Sequence, residues 1–257
     1  MDDATLVIIP TYNEADNLRD LVDAILGLSI GVHILVVDDN SPDGTGQLAE
    51  QLAKTRPEAV HVFHRPGKLG LGTAYCAGFE FGLDRMYGYF VTMDADFSHP
   101  PACLPALIAE ASSSDVVIGS RYIQGGQVVG SPFKRRAISR GANLLTTHLL
   151  HLPVRDCTAG FRCYRRHVLE TVDFRGILSD GYSFLIEMLY VCQQAGFTIR
   201  EIPITFRDRA RGQSKISRLE ILKAFYTLLR LRTPFFPWQR LAHQRIGSSP
   251  SLSRKTA

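Results

Sequence analysis

Four short apolar runs, each followed by a polar turn and then by a stretch with helical spacing, constrain the first hundred residues more than anything else in the chain. Thr5 to Ile9 is stopped by Pro10, Val32 to Val37 runs into Asp38-Asp39, Val60 to His64 is the third run, and Tyr89 to Met93 ends in Asp94-Ala95-Asp96. Between them Leu18, Leu21, Val22, Ile25 and Leu26 carry a helix over 13–28 with Asn13 as its cap, and further helices are predicted at 46–54 and 72–86. Strand and helix alternating this way predict right-handed βαβ units on a mostly parallel sheet flanked by helices, an α/β fold.

The pattern continues less regularly. A helix is expected at 102–111, a strand at Val116 to Gly119, a polar Gly-rich stretch from Tyr122 to Ser131, and a helix from Lys134 to Leu150 on which Arg135, Ser139 and Asn143 recur every four residues. Asp156 to Tyr164 reads as a loop feeding a short strand, 183–194 as a helix and Ile199 to Phe206 as a strand. Ile216 to Leu231 carries too many apolar positions for one narrow stripe and reads as one or two amphipathic helices. The expected organisation is a catalytic domain over 1–215, amphipathic interface helices over 216–238 and a disordered tail over 239–257.

With 257 residues, 45% of them hydrophobic, a large single core is affordable and disorder throughout is excluded. Five scattered cysteines without a CxxC argue for a reducing compartment and against disulfides or a zinc site, so a cytoplasmic location is expected. No signal sequence is expected, and no apolar run approaches the roughly 18 residues of a spanning helix. The net charge of +4 hides an imbalance: residues 200–257 hold 13 Lys/Arg against 3 Asp/Glu. A basic end and an acidic front suit different partners.

In a parallel sheet the ends of successive strands share one rim, where ligands of open α/β folds bind. Tyr12 and Glu14, Asp38 and Asp39, and Asp94 and Asp96 would meet there. Clustered carboxylates repel unless they hold a hard cation or hydroxyls and amines, which suits a sugar nucleotide with a metal. Lys68, Arg121, Lys134-Arg135-Arg136 and the segment Arg207 to Lys215 supply cations from four other places. Acidic and basic clusters side by side fit removal of a group from a diphosphate.

Taken together, Ile9-Pro10-Thr11-Tyr12-Asn13-Glu14, Val37-Asp38-Asp39-Asn40-Ser41-Pro42-Asp43-Gly44-Thr45, Leu69-Gly70-Leu71-Gly72-Thr73-Ala74, Met93-Asp94-Ala95-Asp96, Gly119-Ser120-Arg121-Tyr122 and Arg209-x-x-Gly212-x-Ser214-Lys215 resemble a family 2 glycosyltransferase of the GT-A fold. More closely they are similar to the dolichyl (polyprenyl) phosphate mannosyltransferases. The resemblance implies inverting transfer of mannose from GDP-mannose to a polyprenyl monophosphate. It also implies that Pro10, Tyr12, Glu14, Val37 and Asp39 hold the guanosine, that Asp94 and Ala95 line the sugar nucleotide, and that Asp96 is the main ligand of Mg2+ or Mn2+, with Asp94 beside it. Ser98 stands where relatives carry a metal-touching Gln. Arg121, Arg209 and Lys215 would meet the diphosphate or acceptor phosphate, with Arg135 the acceptor-phosphate partner; Asp96, Arg121 and Arg135 form the catalytic set. Asp156-x-Thr158-x-Gly160-Phe161-Arg162 matches the family's acceptor-side loop, and Leu185 replaces a Gln in Gly181-Tyr182-Ser183-Phe184-Leu185-x-Glu187.

A phosphate monoester is largely dianionic at neutral pH, so this nucleophile needs no general base. Several residues also have plainer roles: Asp38 as a turn cap, Gly70 and Gly72 as a tight turn into a helix, His99 as a turn residue, the cysteines as packing. Lys223, Arg230 and Arg232 among apolar neighbours suit an interfacial helix. A lipid acceptor and no spanning helix call for contact with the membrane surface, through this segment or through a separate anchoring subunit, placing the protein peripherally at the cytoplasmic face. The rival enzymatic reading is a polyprenyl-phosphate glucosyl- or aminosugar transferase using a UDP-sugar. A nucleic-acid partner is disfavoured because no aromatics interleave the basic tail.

Overall fold

The computed structural model describes residues 4–208 and 218–232. In chain order β1 (Thr5–Thr11), α1 (Ala15–Leu26), β2 (Val32–Asp38), α2 (Thr45–Thr55), β3 (Val60–His64), α3 (Leu71–Asp84) and β4 (Tyr89–Thr92) come first. They are followed by α4 (Leu104–Ala111), β5 (Val116–Ser120), β6 (Gln127–Val129), α5 (Phe133–Leu150), β7 (Arg162–Arg165), α6 (Arg166–Thr171), α7 (Gly181–Gln194), β8 (Ile199–Pro203), β9 (Thr205–Arg207) and α8 (Arg218–Arg232).

Seven strands form one sheet in the order β3-β2-β1-β4-β7-β5-β8. Every neighbouring pair is parallel except those made by β7, which runs antiparallel to both β4 and β5. The carboxyl ends of β2, β1, β4, β5 and β8 therefore share a rim with the amino end of β7. Alternate residues of each strand feed two cores. Val7, Ile9, Ile34, Val36 and Val91 pack beneath α1, α2 and α4, while Leu6, Ile8, Leu35, Val37 and Phe90 pack beneath α3, α6 and α7. This is the three-layer α/β sandwich that the alternating sequence predicts.

Local expectations are corrected at three places. β1 does not stop at Pro10 but runs to Thr11; on its β4 side the ladder has already ended at Ile8, where a residue without an N–H is tolerated. Asn13 does not cap α1: it sits at φ 61, and the helix start is closed from the loop after β2. There Ser41 Oγ, Thr45 Oγ1 and Asp43 Oδ2 accept from the amides of Asn13, Glu14 and Ala15 at 3.1, 2.9 and 3.1 Å. Ile199 to Phe206 is two strands, because after Pro203 the chain leaves the main sheet and pairs as β9 with β6, inside the stretch expected to be only polar loop. Of the segment expected as one or two amphipathic helices, the described residues form one, α8. The expected disordered tail over 239–257 lies outside the described residues, as do Arg209 and Lys215.

Candidate functional site

At the end of β2 two adjacent carboxylates have different employment. Asp38 is 2% exposed and accepts from Thr11 Oγ1 at 3.1 Å, Ser41 N at 3.2 Å and Ser41 Oγ at 2.6 Å, so it pins the turn rather than facing a ligand. Asp39 is clamped by Arg65, with Nε 2.6 Å from Oδ1 and Nη2 3.0 Å from Oδ2. Arg65 reaches on to Thr73 Oγ1 at 2.8 Å and the Gly70 carbonyl at 3.3 Å, tying the Gly-rich turn and the first turn of α3 to the end of β2. Burial pushes the Asp39 carboxyl above its ordinary range, against the pull of Arg65. Gly70 takes φ 98 where the chain turns into α3, and a Cβ on Gly72 would strike Phe184 at 2.6 Å, so both glycines are explained by the turn and by packing.

Tyr12 is exposed at the end of β1, with the Lys68 ammonium 4.4 Å from its ring centroid. Glu14 Oε2 accepts from Asn17. Pro10 lies on the same strand end, and the Val37 side chain is wholly buried, leaving only its backbone to meet a ligand.

The end of β4 is braced from beneath. Thr92 Oγ1 donates to the Gly160 carbonyl at 2.6 Å, and the Asp94 amide donates to His99 Nδ1 at 3.0 Å. That bond fixes the tautomer with the proton on Nε2, which lies 3.9 Å from Asp94 Oδ2. His99 stacks on Phe161 and meets the edge of Phe206, and its burial outweighs Asp94 and Asp96 to lower its pKa, so the ring is a neutral brace. Ala95 is buried behind the turn, and Ser98 N donates to Asp96 Oδ1 at 3.0 Å. Ser98 Oγ, on a residue 1% exposed, has no hydrogen-bond partner among the described residues. Two carboxylates with an orphaned buried hydroxyl are an oxygen-only donor set, which fits a hard divalent cation that completes its shell with water and phosphate. Among the described residues no group of three or more His, Cys, Asp and Glu is gathered for a metal, so the fit rests on Asp94, Asp96 and Ser98.

The basic wall faces this turn. Arg121 follows β5 and is held by Asp156, whose Oδ2 takes its backbone N–H at 3.0 Å and Nε at 2.7 Å and whose Oδ1 takes Nη2 at 2.6 Å. Burial works against the Arg121 charge, yet Asp156 raises its pKa further, so it is cationic at any working pH. Nη2 also donates to Thr158 Oγ1 at 2.8 Å, leaving the Nη1 edge as what Arg121 offers an anion. Asn143 on α5 binds Thr158 Oγ1 and the Cys157 amide, locking α5 to that loop. Ser139 accepts from Tyr122 at 2.7 Å, and Arg135 pairs with Asp208 at 2.8 Å. Arg135, Ser139 and Asn143 thus occupy the inward side of α5. Lys134 and Arg136 are exposed on its outside. Arg162, fully buried, donates to the Ala159, Cys157 and Leu185 carbonyls and rivets the loop.

Acidic and basic parts adjoin. Asp94, Asp96, Arg121 and Asp156 all act electrostatically on His99, and Ser98 O accepts from the Arg207 amide, one residue before the Asp208 that holds Arg135. Sequence reasoning missed Arg65 and the pairing of Arg121 with Asp156, neither of which has a local signature.

The family model for glycosyl transferase family 2 matches residues 6–173. The chain is 48% identical over 223 residues to polyprenol monophosphomannose synthase of Mycolicibacterium smegmatis, covering 86% of this chain and 84% of the relative. It is 45% identical over 212 residues to undecaprenyl-phosphate mannosyltransferase of Micrococcus luteus, covering 82% and 87%. In fold it is similar to glucosyl-3-phosphoglycerate synthase from Mycobacterium tuberculosis in complex with Mn2+, UDP and phosphoglyceric acid, at TM-score 0.63 and 20% identity over 90% of this chain and 78% of that one. A crystal structure described as a mycobacterial protein matches at TM-score 0.65 and 18% identity, covering 90% and 74%.

Proposed function

The chain belongs to glycosyl transferase family 2, and from that premise we propose that it transfers mannose from GDP-mannose to a polyprenyl monophosphate, giving a β-linked mannosyl phospholipid. The observation that carries the reading is the meeting at one sheet rim of Asp39, Asp94 and Asp96 with the Arg121–Asp156 pair and the polar inward side of α5. Two relatives at 48% and 45% identity bear names of polyprenol and undecaprenyl phosphate mannosyl transfer.

Asp39, fixed by Arg65, would seat the nucleoside beside Tyr12, Pro10, Glu14 and the Val37 backbone. Asp94 and Ala95 would line the sugar. Asp96, Asp94 and Ser98 would hold Mg2+ or Mn2+, which when bound offsets charge growing on the departing diphosphate. Arg135 exchanges Asp208 for the acceptor phosphate, and the Nη1 edge of Arg121 faces the same anion; Arg209 and Lys215 belong to the same proposed phosphate-binding set. Because the phosphate attacks as an anion, positioning and charge neutralisation carry the rate.

The acceptor's lipid implies a membrane surface as partner. No helix among the described residues is long and apolar enough to cross a bilayer. Phe225, Tyr226 and Leu229 of α8 and Phe133, Ile138, Leu144 and Leu145 of α5 are exposed, with Lys134, Arg136 and Arg140 beside them, a composition suited to anionic headgroups. The proposed arrangement is peripheral attachment at the cytoplasmic face, directly or beside an anchoring subunit.

Radiolabelled GDP-mannose and UDP-glucose offered in parallel with a polyprenyl phosphate and Mg2+ or Mn2+ test the reading. Label should enter the lipid from GDP-mannose alone, and Asp96→Ala and Arg135→Ala should each abolish transfer without altering the melting curve. Transfer from UDP-glucose instead would overturn the donor, and near-normal turnover by Asp96→Ala would overturn the metal assignment.

A further inference from the structure

We propose that the hydroxyl of Tyr75 contacts the sugar of the donor and helps set which sugar is accepted, an inference that rests on the site holding a sugar nucleotide. Tyr75 lies on α3 with its ring in the core, stacked against Phe79 at 6.4 Å and tilted against Phe184 at 6.3 Å, and it is 0% exposed. For packing alone, phenylalanine would serve as well. Yet the hydroxyl has no hydrogen-bond partner among the described residues. A buried polar group without a partner is costly, and its retention calls for a functional reason.

The direction of the hydroxyl supplies one. A Cβ placed on Gly160 would lie 3.3 Å from Tyr75 Oη, 3.6 Å from His99 Cε1 and 3.7 Å from Asp94 Oδ1. The phenol, the brace of the β4 turn and the first carboxylate of that turn therefore surround one small space, which glycine keeps open. The Asp94 side chain, one wall of this space, is itself 30% exposed. Burial first, and then the charge of Asp94, drive the phenol's pKa well above 10.0, so it stays a neutral donor.

A neutral donor and a carboxylate acceptor on the walls of one small space match one kind of group. A sugar hydroxyl accepts from the phenol and donates to Asp94 with the same oxygen or with its vicinal neighbour. A phosphate would be repelled by Asp94, and the nucleoside is accommodated at Asp39. The polar contact thus falls on the transferred sugar.

Tyr75→Phe removes the hydroxyl and nothing else. The variant should melt at the wild-type temperature or above it and bind GDP as the wild type does, while its kcat/KM for GDP-mannose falls about tenfold, the size of one hydrogen bond. Among GDP-deoxymannose donors, one should lose about tenfold with the wild type and nothing further with Tyr75→Phe, the signature of a shared contact. Wild-type kcat/KM in Tyr75→Phe, an equal loss of affinity for GDP alone, or a lowered melting temperature would overturn the assignment. A wild-type enzyme inert toward GDP-mannose would instead overturn the functional reading, so the two failures are distinguishable.

Discussion

Arg65 has its guanidinium shared among Asp39, Thr73 and Gly70, and its side chain is 4% exposed. An ion pair this buried is not strong evidence of net stability, but removing one partner strands the other charge. Arg65→Leu should cost about 3 kcal/mol in urea unfolding at neutral pH and raise KM for the donor while leaving KM for the acceptor unchanged. The sign of its pH dependence follows from Asp39. Burial raises that carboxyl above 3.8, so the folded chain holds this proton more tightly than the unfolded one, and the group's contribution falls as pH climbs from the unfolded value through the raised folded one. Without Arg65 the folded pKa rises further, so the deficit of the variant should shrink as the pH approaches about 4. A deficit independent of pH would mean that Arg65 matters through packing alone. Nothing local in Arg65-Pro66-Gly67-Lys68 announces this role, since the partner carboxylate is 26 positions away in sequence. Asp39 itself was legible because it ends an apolar run, and Asp38 was ambiguous for the same reason: only the loop closing back through Ser41 distinguishes them.

At the scale of elements, α5 is turned inside out. Its inward side is Arg135, Ser139, Asn143 and Thr146, and Phe133, Ile138, Leu144 and Leu145 face outward. The four-residue recurrence of polar groups in the sequence marks that inward side, but periodicity does not say which side of a helix meets the protein. α8 shows the opposite arrangement: Leu228 and Leu231 enter the core beside α7 and α5, and Arg230 pairs with Glu187 and donates to Ser179 Oγ. Lys223 pairs with Asp180 at 3.1 Å. The segment 179–182 is thus strapped by α8 on one side. On the other, Asp180 Cβ lies 3.9 Å from where a Cβ on Gly70 would be, and Tyr182 acts electrostatically on Arg121 and Tyr75. Arg230→Leu, which strands a 9%-exposed glutamate, should lower stability by about 3 kcal/mol and speed amide exchange in α8 and 177–182 together. Exchange confined to α8 would show that the strap does not reach the site. The central strands and long helices were legible because each keeps one hydrophobic period over its length. β6, α6 and the break that separates β9 from β8 were not, because three to six residues carry no periodicity.

For the molecule as a whole, the rim gathers carboxylates, while the flank built from α5 and α8 carries Lys134, Arg136 and Arg140 beside exposed apolar side chains. Such a flank should bind anionic bilayers, and salt should weaken it. Cutting the chain before α8 is a poor test, because it also removes Leu228, Leu231 and the Arg230–Glu187 pair from the core. Replacing only the outward side chains avoids this. With Phe225, Tyr226 and Leu229 all changed to Ser, the protein should melt as before, since these residues are 55, 63 and 53% exposed. It should sediment less with vesicles containing anionic phospholipid and lose transfer to a long-chain polyprenyl phosphate, while keeping transfer to a short, water-soluble phosphate acceptor. If sedimentation is unchanged, attachment lies with α5 or with a separate subunit, and the corresponding change of Ile138, Leu144 and Leu145 distinguishes the two.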